Sequence, residues 1–230
     1  MTGEPGDGPA VALVAAHDEE ETIASTVKAL VALPAVAAVM VVADGCTDRT
    51  AGEAAGAGAR VLVAPRRLGK GAAVEGALER GVPAAAYLLV DGDVAETAGE
   101  AGTLLDEVLA GRLDLAIGRL PAQAGGGFGM VKEMAAGVIR SLTGFEAESP
   151  LSGQRAISRE ALWACRPLAG GFGIETAMTI DAVRLGFRVG EIGVDMRHRP
   201  EGRSLRGFAH RALQGLDILR AAAPRALRVR

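Results

Sequence analysis

Aromatic side chains are nearly missing from this sequence: one Trp, one Tyr and five Phe make up 3% of 230 residues. A core so short of rings must be filled by aliphatic side chains, and much of the 49% hydrophobic content is alanine. Cysteine is as scarce. Cys46 and Cys165 are the only two, far apart and in no metal-type spacing, which excludes a disulfide framework and fits a reducing, cytoplasmic setting. Charge of one sign is lacking too: a net −3 leaves no electrostatic footprint for nucleic acid. No apolar run approaches the roughly 20 residues that would span a bilayer. No basic start followed by an apolar stretch marks a signal peptide.

What the chain does have is a rhythm. A length of 230 residues suits one well-filled α/β domain, with no need of a second. After a Gly- and Pro-rich start over residues 1–9, expected to be disordered, strand-like and helix-like segments alternate. Strands are expected at Val11 to Ala15, Val36 to Ala43, Arg60 to Ala64, Ala84 to Val90 and Leu113 to Ile117. Helices fall between them, at Glu19 to Leu33, Asp48 to Ala57, Gly71 to Arg80 and Thr97 to Ala110. Such alternation implies a mostly parallel sheet with crossover helices on both faces. Past Gly118 the rhythm changes. A Gly-rich stretch, Gln123 to Gly129, reads as a loop. A helix over Val131 to Leu142, an extended segment around Pro150 to Ile157, a helix over Ile174 to Leu185 and a strand over Arg188 to Val194 follow. Leu205 to Ala222 reads as a closing amphipathic helix, leaving residues 223–230 as a basic tail. The change near residue 118 divides the domain, 10–222, into halves: 10–118, suited to a nucleotide, and 119–222, suited to an acceptor.

The candidate chemistry lies where strands end. Asp91-Gly92-Asp93 follows an apolar run, so both carboxylates stand at the carboxyl edge, where open α/β sheets bind ligands. Two readings stand: a plain turn, or oxygen ligands for Mg²⁺ or Mn²⁺ shared with substrate phosphates. The first strand runs into His17-Asp18-Glu19-Glu20-Glu21-Thr22, either an acidic first turn of a helix or part of a site. The second ends in Asp44-Gly45-Cys46-Thr47-Asp48, where Asp44 can accept a hydrogen bond from a base and Gly45 permits close backbone approach. The third leads to Gly69-Lys70-Gly71, a cation between glycines at a helix start, suited to a phosphate. It is no P-loop, because the GxxxxGK[ST] spacing is absent.

As an ordered set these segments resemble family 2 glycosyltransferases. Ala15-Ala16-His17-Asp18-Glu19-Glu20 resembles their "PAxNEE" opening, with Ala15 and Asp18 where Pro and Asn are usual. Ala43 to Thr50 resembles "DDGSTDxT", with Ala43 in place of the first acid. Gly69-Lys70-Gly71 matches "GKG" and Asp91-Gly92-Asp93 the DxD. Ser152 to Ala156, Gly171 to Glu175 and His198 to Gly202 look like the glucosyl-3-phosphoglycerate synthase and polyprenyl-phosphate sugar transferase branches. The resemblance covers Val11 to about Leu219.

The resemblance implies a GT-A fold, a Rossmann-like single domain, and transfer of a sugar, glucose first, from a UDP-sugar to a small anionic acceptor. It implies a divalent metal, Mg²⁺ or Mn²⁺, on Asp93 and His198. Asp91 and Gly92 would meet the donor, and Lys70 would lie along its diphosphate. Ala16, Asp18, Glu19 and Asp44 would frame uracil and ribose. Glu175 would bind sugar hydroxyls or act as base, with Asp91 beside it in the reacting set. Gly153, Arg155, Arg199 and Arg203, with the Gly125-Gly126-Gly127 loop, would grip the acceptor. The basic amphipathic closing helix, with Arg206, His210, Arg211 and Arg220 beside Leu205, Phe208, Leu213, Leu216 and Leu219, suits either an anionic lipid surface or packing on the domain or a second subunit. Lipid contact would favour a polyprenyl-phosphate acceptor. A sugar-1-phosphate nucleotidyltransferase would need a Gly-rich signature with Arg and a following Lys near the first strand, and the segment before His17 has no such signature. A nucleotide sensor with a decayed site is disfavoured by the joint presence of Lys70, Asp93, Glu175 and His198.

Overall fold

The computed structural model describes residues 9–81, 83–121, 129–197 and 205–227, apart from the side chains of Phe172, 205–214 and 227. Four strands open the chain: β1 (Ala10–Ala16), β2 (Val36–Asp44), β3 (Arg60–Ala64) and β4 (Ala86–Asp91). Between them run α1 (Ile23–Val31), α2 (Thr50–Gly56) and α3 (Lys70–Arg80). A 3-10 turn (Ala95–Ala101) leads into α4 (Gly102–Leu109) and β5 (Leu115–Arg119). Then come α5 (Gly129–Thr143), β6 (Arg155–Ser158), α6 (Arg159–Ala164), a 3-10 turn (Gly171–Gly173), α7 (Ile174–Arg184), β7 (Val189–Gly193) and α8 (Leu205–Leu227).

Among the described residues seven strands form one sheet in the order β3-β2-β1-β4-β6-β5-β7. All neighbours are parallel except β6, which runs antiparallel to both β4 and β5. The order turns back at β1 and β4, so their carboxyl ends flank the crevice where doubly wound sheets take ligands.

The central strands β1 and β4 are buried on both faces, which is why their sequences are unbroken apolar runs and not alternations. Successive side chains of β1 go to opposite faces: Ala10, Ala12 and Val14 into one core, Val11 and Leu13 into the other. In β4, Leu88 and Val90 join the first core, Tyr87 and Leu89 the second. Ile23, Val27 and Leu30 of α1 cover the first face with Leu104 and Leu105 of α4. Val74 and Ala77 of α3, Leu162 of α6 and Met178 of α7 cover the second. The many alanines let the layers approach closely, which answers the shortage of rings.

The structure moves several expected boundaries. α1 starts at Ile23, with no acid in its first turn, so the acids from Asp18 to Glu21 belong to a loop and not to a capped helix start. Pro9, expected to be disordered, already accepts hydrogen bonds from Ala85 and Ala86 (3.1 Å each). α6 had no counterpart in the sequence reading; the Ser158 hydroxyl caps it by accepting from Ala161 N (3.2 Å). α8 runs on to Leu227 where a tail from 223 was expected. Arg225 docks that end on α7, its Nε donating to Asp181 (2.7 Å).

Candidate active site

Four parallel strands deliver their polar ends to one edge, and the loops there are tied to each other by side chains. At the end of β1, His17 Nδ1 donates to the Asp44 carbonyl (2.8 Å). Asp18, at φ 55°, accepts from Thr47 N (2.7 Å). Glu19 N donates to Thr50 Oγ1 (2.7 Å), and Glu20 N to Asp48 Oδ2 (3.1 Å). The loops after β1 and β2 therefore behave as one unit.

At the end of β2, Asp44 is 4% exposed. Its two carboxylate oxygens accept from Leu68 N (2.6 Å) and Gly69 N (2.8 Å). Asp44 thereby holds the loop after β3 in place, and it also lines the cleft described below. Gly45, at φ +67°, allows that loop to approach, because a Cβ there would strike the backbone of Arg66 and Arg67.

Beyond this loop α3 begins at Lys70, whose ammonium sits between two carboxylates, 2.5 Å from Asp91 Oδ1 and 2.9 Å from Glu175 Oε1. Burial works against its charge, yet Asp91 and Glu175 hold the ammonium well above the ordinary lysine range. Asp91 is also gripped by Gln154, which donates to Asp91 Oδ2 (2.7 Å) and accepts from Asp91 N (3.2 Å). Gln154 is fully buried and had no assigned role; its signal was its place beside Gly153 in a quoted motif. Glu175 stands in the first turn of α7, 7% exposed.

Two residues expected to grip an acceptor do something else. Arg155 is 1% exposed, and its guanidinium donates to Ser152 O (2.8 Å), Pro150 O (3.3 Å) and Thr179 Oγ1 (2.9 Å). Burial lowers it to about 10. It pins the loop before β6 to α7. Gly153 is buried, and a Cβ there would land on the Asp91 carboxylate and the Lys70 ammonium. It lets the charged cluster close.

Above the cluster opens a cleft of about 350 Å³, lined by Ala16, His17, Glu19, Asp44, Arg67 and Lys70 among others. Gly171 and Asp217 of α8 close its far side, a contribution from the second half that sequence reasoning missed. Gly92 carries no Cβ because one would collide with the Glu19 carboxylate. Asp93 follows, half-buried in the turn after β4. His198, Arg199, Arg203 and the loop 125–127 lie outside the described residues.

The model of glycosyl transferase family 2 matches residues 11–166. Glycosyltransferase AglJ of Haloferax volcanii is 31% identical over 195 residues. The alignment takes in 83% of this chain and 63% of AglJ, so the chain spans less than two thirds of that relative's length. Glucosyl-3-phosphoglycerate synthase from Mycobacterium tuberculosis, solved with Mg²⁺ and uridine diphosphate, superposes with a TM-score of 0.78 at 26% identity, covering 94% of this chain and 80% of that one. The same enzyme solved with Mn²⁺, UDP-glucose and phosphoglyceric acid gives 0.77 at 25% identity, covering 94% and 80%.

Proposed function

The chain belongs to glycosyl transferase family 2, and on that premise we propose that it transfers a hexosyl group, glucose first, from a UDP-sugar to a small anionic acceptor. The observation that carries this reading is the Lys70 ammonium held between Asp91 and Glu175 beneath the cleft. A cation fixed there by two carboxylates is already desolvated and oriented, so it needs no rearrangement to meet a diphosphate. The free N–H groups at the start of α3 add to the same field. The mycobacterial synthase with UDP-glucose and phosphoglyceric acid supports both the donor and an acidic acceptor.

A divalent metal fits the residues at hand. Asp91 serves Lys70 and Gln154 with its two oxygens, and Asp93 is the carboxylate we assign to the cation, a hard oxygen ligand of the kind Mg²⁺ or Mn²⁺ takes. When bound, the metal supplies neutralisation of charge on the departing nucleoside diphosphate. Glu175 is the acid we assign to the sugar hydroxyls or to the acceptor proton. Ala16, Glu19 and the Asp44 loop line the part of the cleft we assign to uridine.

A second reading rests on α8. Ile218, Ala221 and Ala222 pack inward, whereas Leu216 and Leu219 are about half exposed beside Arg220. That outward stripe suits an anionic lipid surface and an acceptor with a polyprenyl phosphate. Binding of the chain to vesicles carrying acidic lipid supports it; a chain left in the supernatant removes it.

The deciding experiment is thermal shift with UDP, GDP, CDP and ADP, with and without Mn²⁺, followed by UDP release from UDP-sugars against 3-phosphoglycerate, simple sugars and a short polyprenyl phosphate. Stabilisation by UDP with Mn²⁺ is expected. Stabilisation by none of the four would remove the enzyme reading. Asp93→Asn should abolish the metal-dependent part of UDP affinity while leaving metal-free binding intact; unchanged calorimetry would move the cation elsewhere.

A further inference from the structure

An imidazole, a carboxylate and a thiol meet at the rim of the cleft, on loops that the sheet brings together from β1 and β2. One ligand atom each from His17, Asp18 and Cys46 lies within 4.8 Å of the others. We propose that these three residues form a binding site for a borderline dication of the zinc class, separate from the oxygen-donor position at Asp93.

The donor set decides the ion. Imidazole nitrogen, thiolate sulfur and a single carboxylate suit Zn²⁺ and its neighbours, whereas Mg²⁺ takes oxygen. Three protein ligands leave a fourth position for water. Zinc bonds of about 2.0–2.3 Å put tetrahedral ligands roughly 3.3–3.8 Å apart. His17 Nε2 and Asp18 Oδ2 are 3.8 Å apart, and a ligand atom of each of the three residues lies within 4.8 Å of the others.

The surroundings orient each ligand. The partner of His17 Nδ1 is a carbonyl oxygen, that of Asp44, so Nδ1 must carry the proton. In the neutral ring the lone pair is then on Nε2, facing Asp18. Metal-bound histidines are oriented this way, by a hydrogen bond from the other ring nitrogen. Thr47 N and Oγ1 hold the Asp18 carboxylate, and the φ of 55° at Asp18 turns it toward the ring. Cys46 Sγ donates to the Ala16 carbonyl (3.4 Å), and burial keeps the thiol above its ordinary pKa. A cation would displace the thiol proton to solvent.

His17 also lines the cleft. An ion on its Nε2 therefore competes with whatever occupies that end of the cleft, so zinc should inhibit nucleotide binding where Mg²⁺ supports it. This consequence, unlike the site itself, rests on the donor-cleft reading.

The test is titration of the full chain with Co²⁺ in excess Mg²⁺, read by near-ultraviolet thiolate-to-cobalt absorption, then displacement by Zn²⁺. One equivalent with that band is expected. Cys46→Ser keeps a hydroxyl donor for the Ala16 carbonyl but removes the soft ligand. It should lose the band and at least about 10-fold in Zn²⁺ affinity, as should His17→Gln. No thiolate band, or equal Zn²⁺ affinity in the wild type and both variants, overturns the site. A UDP thermal shift on the same samples separates the two readings. A cobalt band with no UDP response leaves the metal site standing and removes the cleft assignment. A UDP response with no band does the reverse.

Discussion

The two halves of the sheet are held by different means. From β1 to β4 the loops at the carboxyl edge are tied by short side-chain-to-backbone bonds, such as those of Asp44 to Leu68 and Gly69 and of Asp18 to Thr47. From β5 to α8 arginines supply several of the ties: Arg155 to Pro150 and Thr179, Arg188 to Asp114, Arg225 to Asp181. Short ties give a rigid frame around a cleft. Long guanidinium reaches pin elements that arrive from distant parts of the chain. The Lys70 cluster is where the halves meet, since Asp91 belongs to the first and Glu175 to the second.

Breaking that meeting point should have the largest effect. Lys70→Ala would leave two carboxylates facing each other across a gap, and UDP-sugar turnover should fall by about 10²–10³-fold in steady-state assays. A loss under about 10-fold would show that the halves are not coupled through this ammonium. Arg155→Ala should cost about 3 kcal/mol in urea denaturation, since three acceptors lose their donor and a large buried side chain is removed. At a temperature where that variant is folded, its acceptor KM should match the wild type; a raised KM would restore an acceptor role. Gly153→Ala should cost roughly 1–3 kcal/mol through its clash with Asp91 and Lys70, and a neutral result would mean that the cluster has room to spread. The smallest effect belongs to the surface of the second half. The Arg188 hydrogen bonds hold Asp114 below the ordinary carboxylate range, against the desolvation that raises it. A depressed folded pKa contributes stability that is present above the unfolded value and is lost as pH falls through the folded one. Arg188→Ala should therefore flatten the acid limb of the stability curve only slightly, because the arginine is exposed and the pair is screened by solvent.

Legibility in the sequence followed the same division. Strand ends, the Gly69-Lys70-Gly71 helix start and the Asp91-Gly92-Asp93 turn are local patterns, and each stands where its pattern implied. Residues named for what they could touch fared otherwise. Arg155 resembled a ligand because arginine suits anions, but burial gave it an internal task. Gln154, a neighbour in the same segment, carried no chemical flag, yet it orients Asp91 from the residue just before the antiparallel strand β6, far along the chain. Asp217 reaches the cleft from α8, a contact that no spacing encodes.

Cys46 is the clearest case of the limit. It lies far from Cys165 and in no metal-type spacing, but the parallel register of Ala16 with Ala43 sets the loops after β1 and β2 side by side and brings it to His17. The sequence by itself determined the sheet, its two cores and the family, because apolar runs and turn residues act over a few positions. Which charged groups meet, and which are buried as struts, was decided only by tertiary structure, since that depends on register between strands and on the desolvation of each side chain.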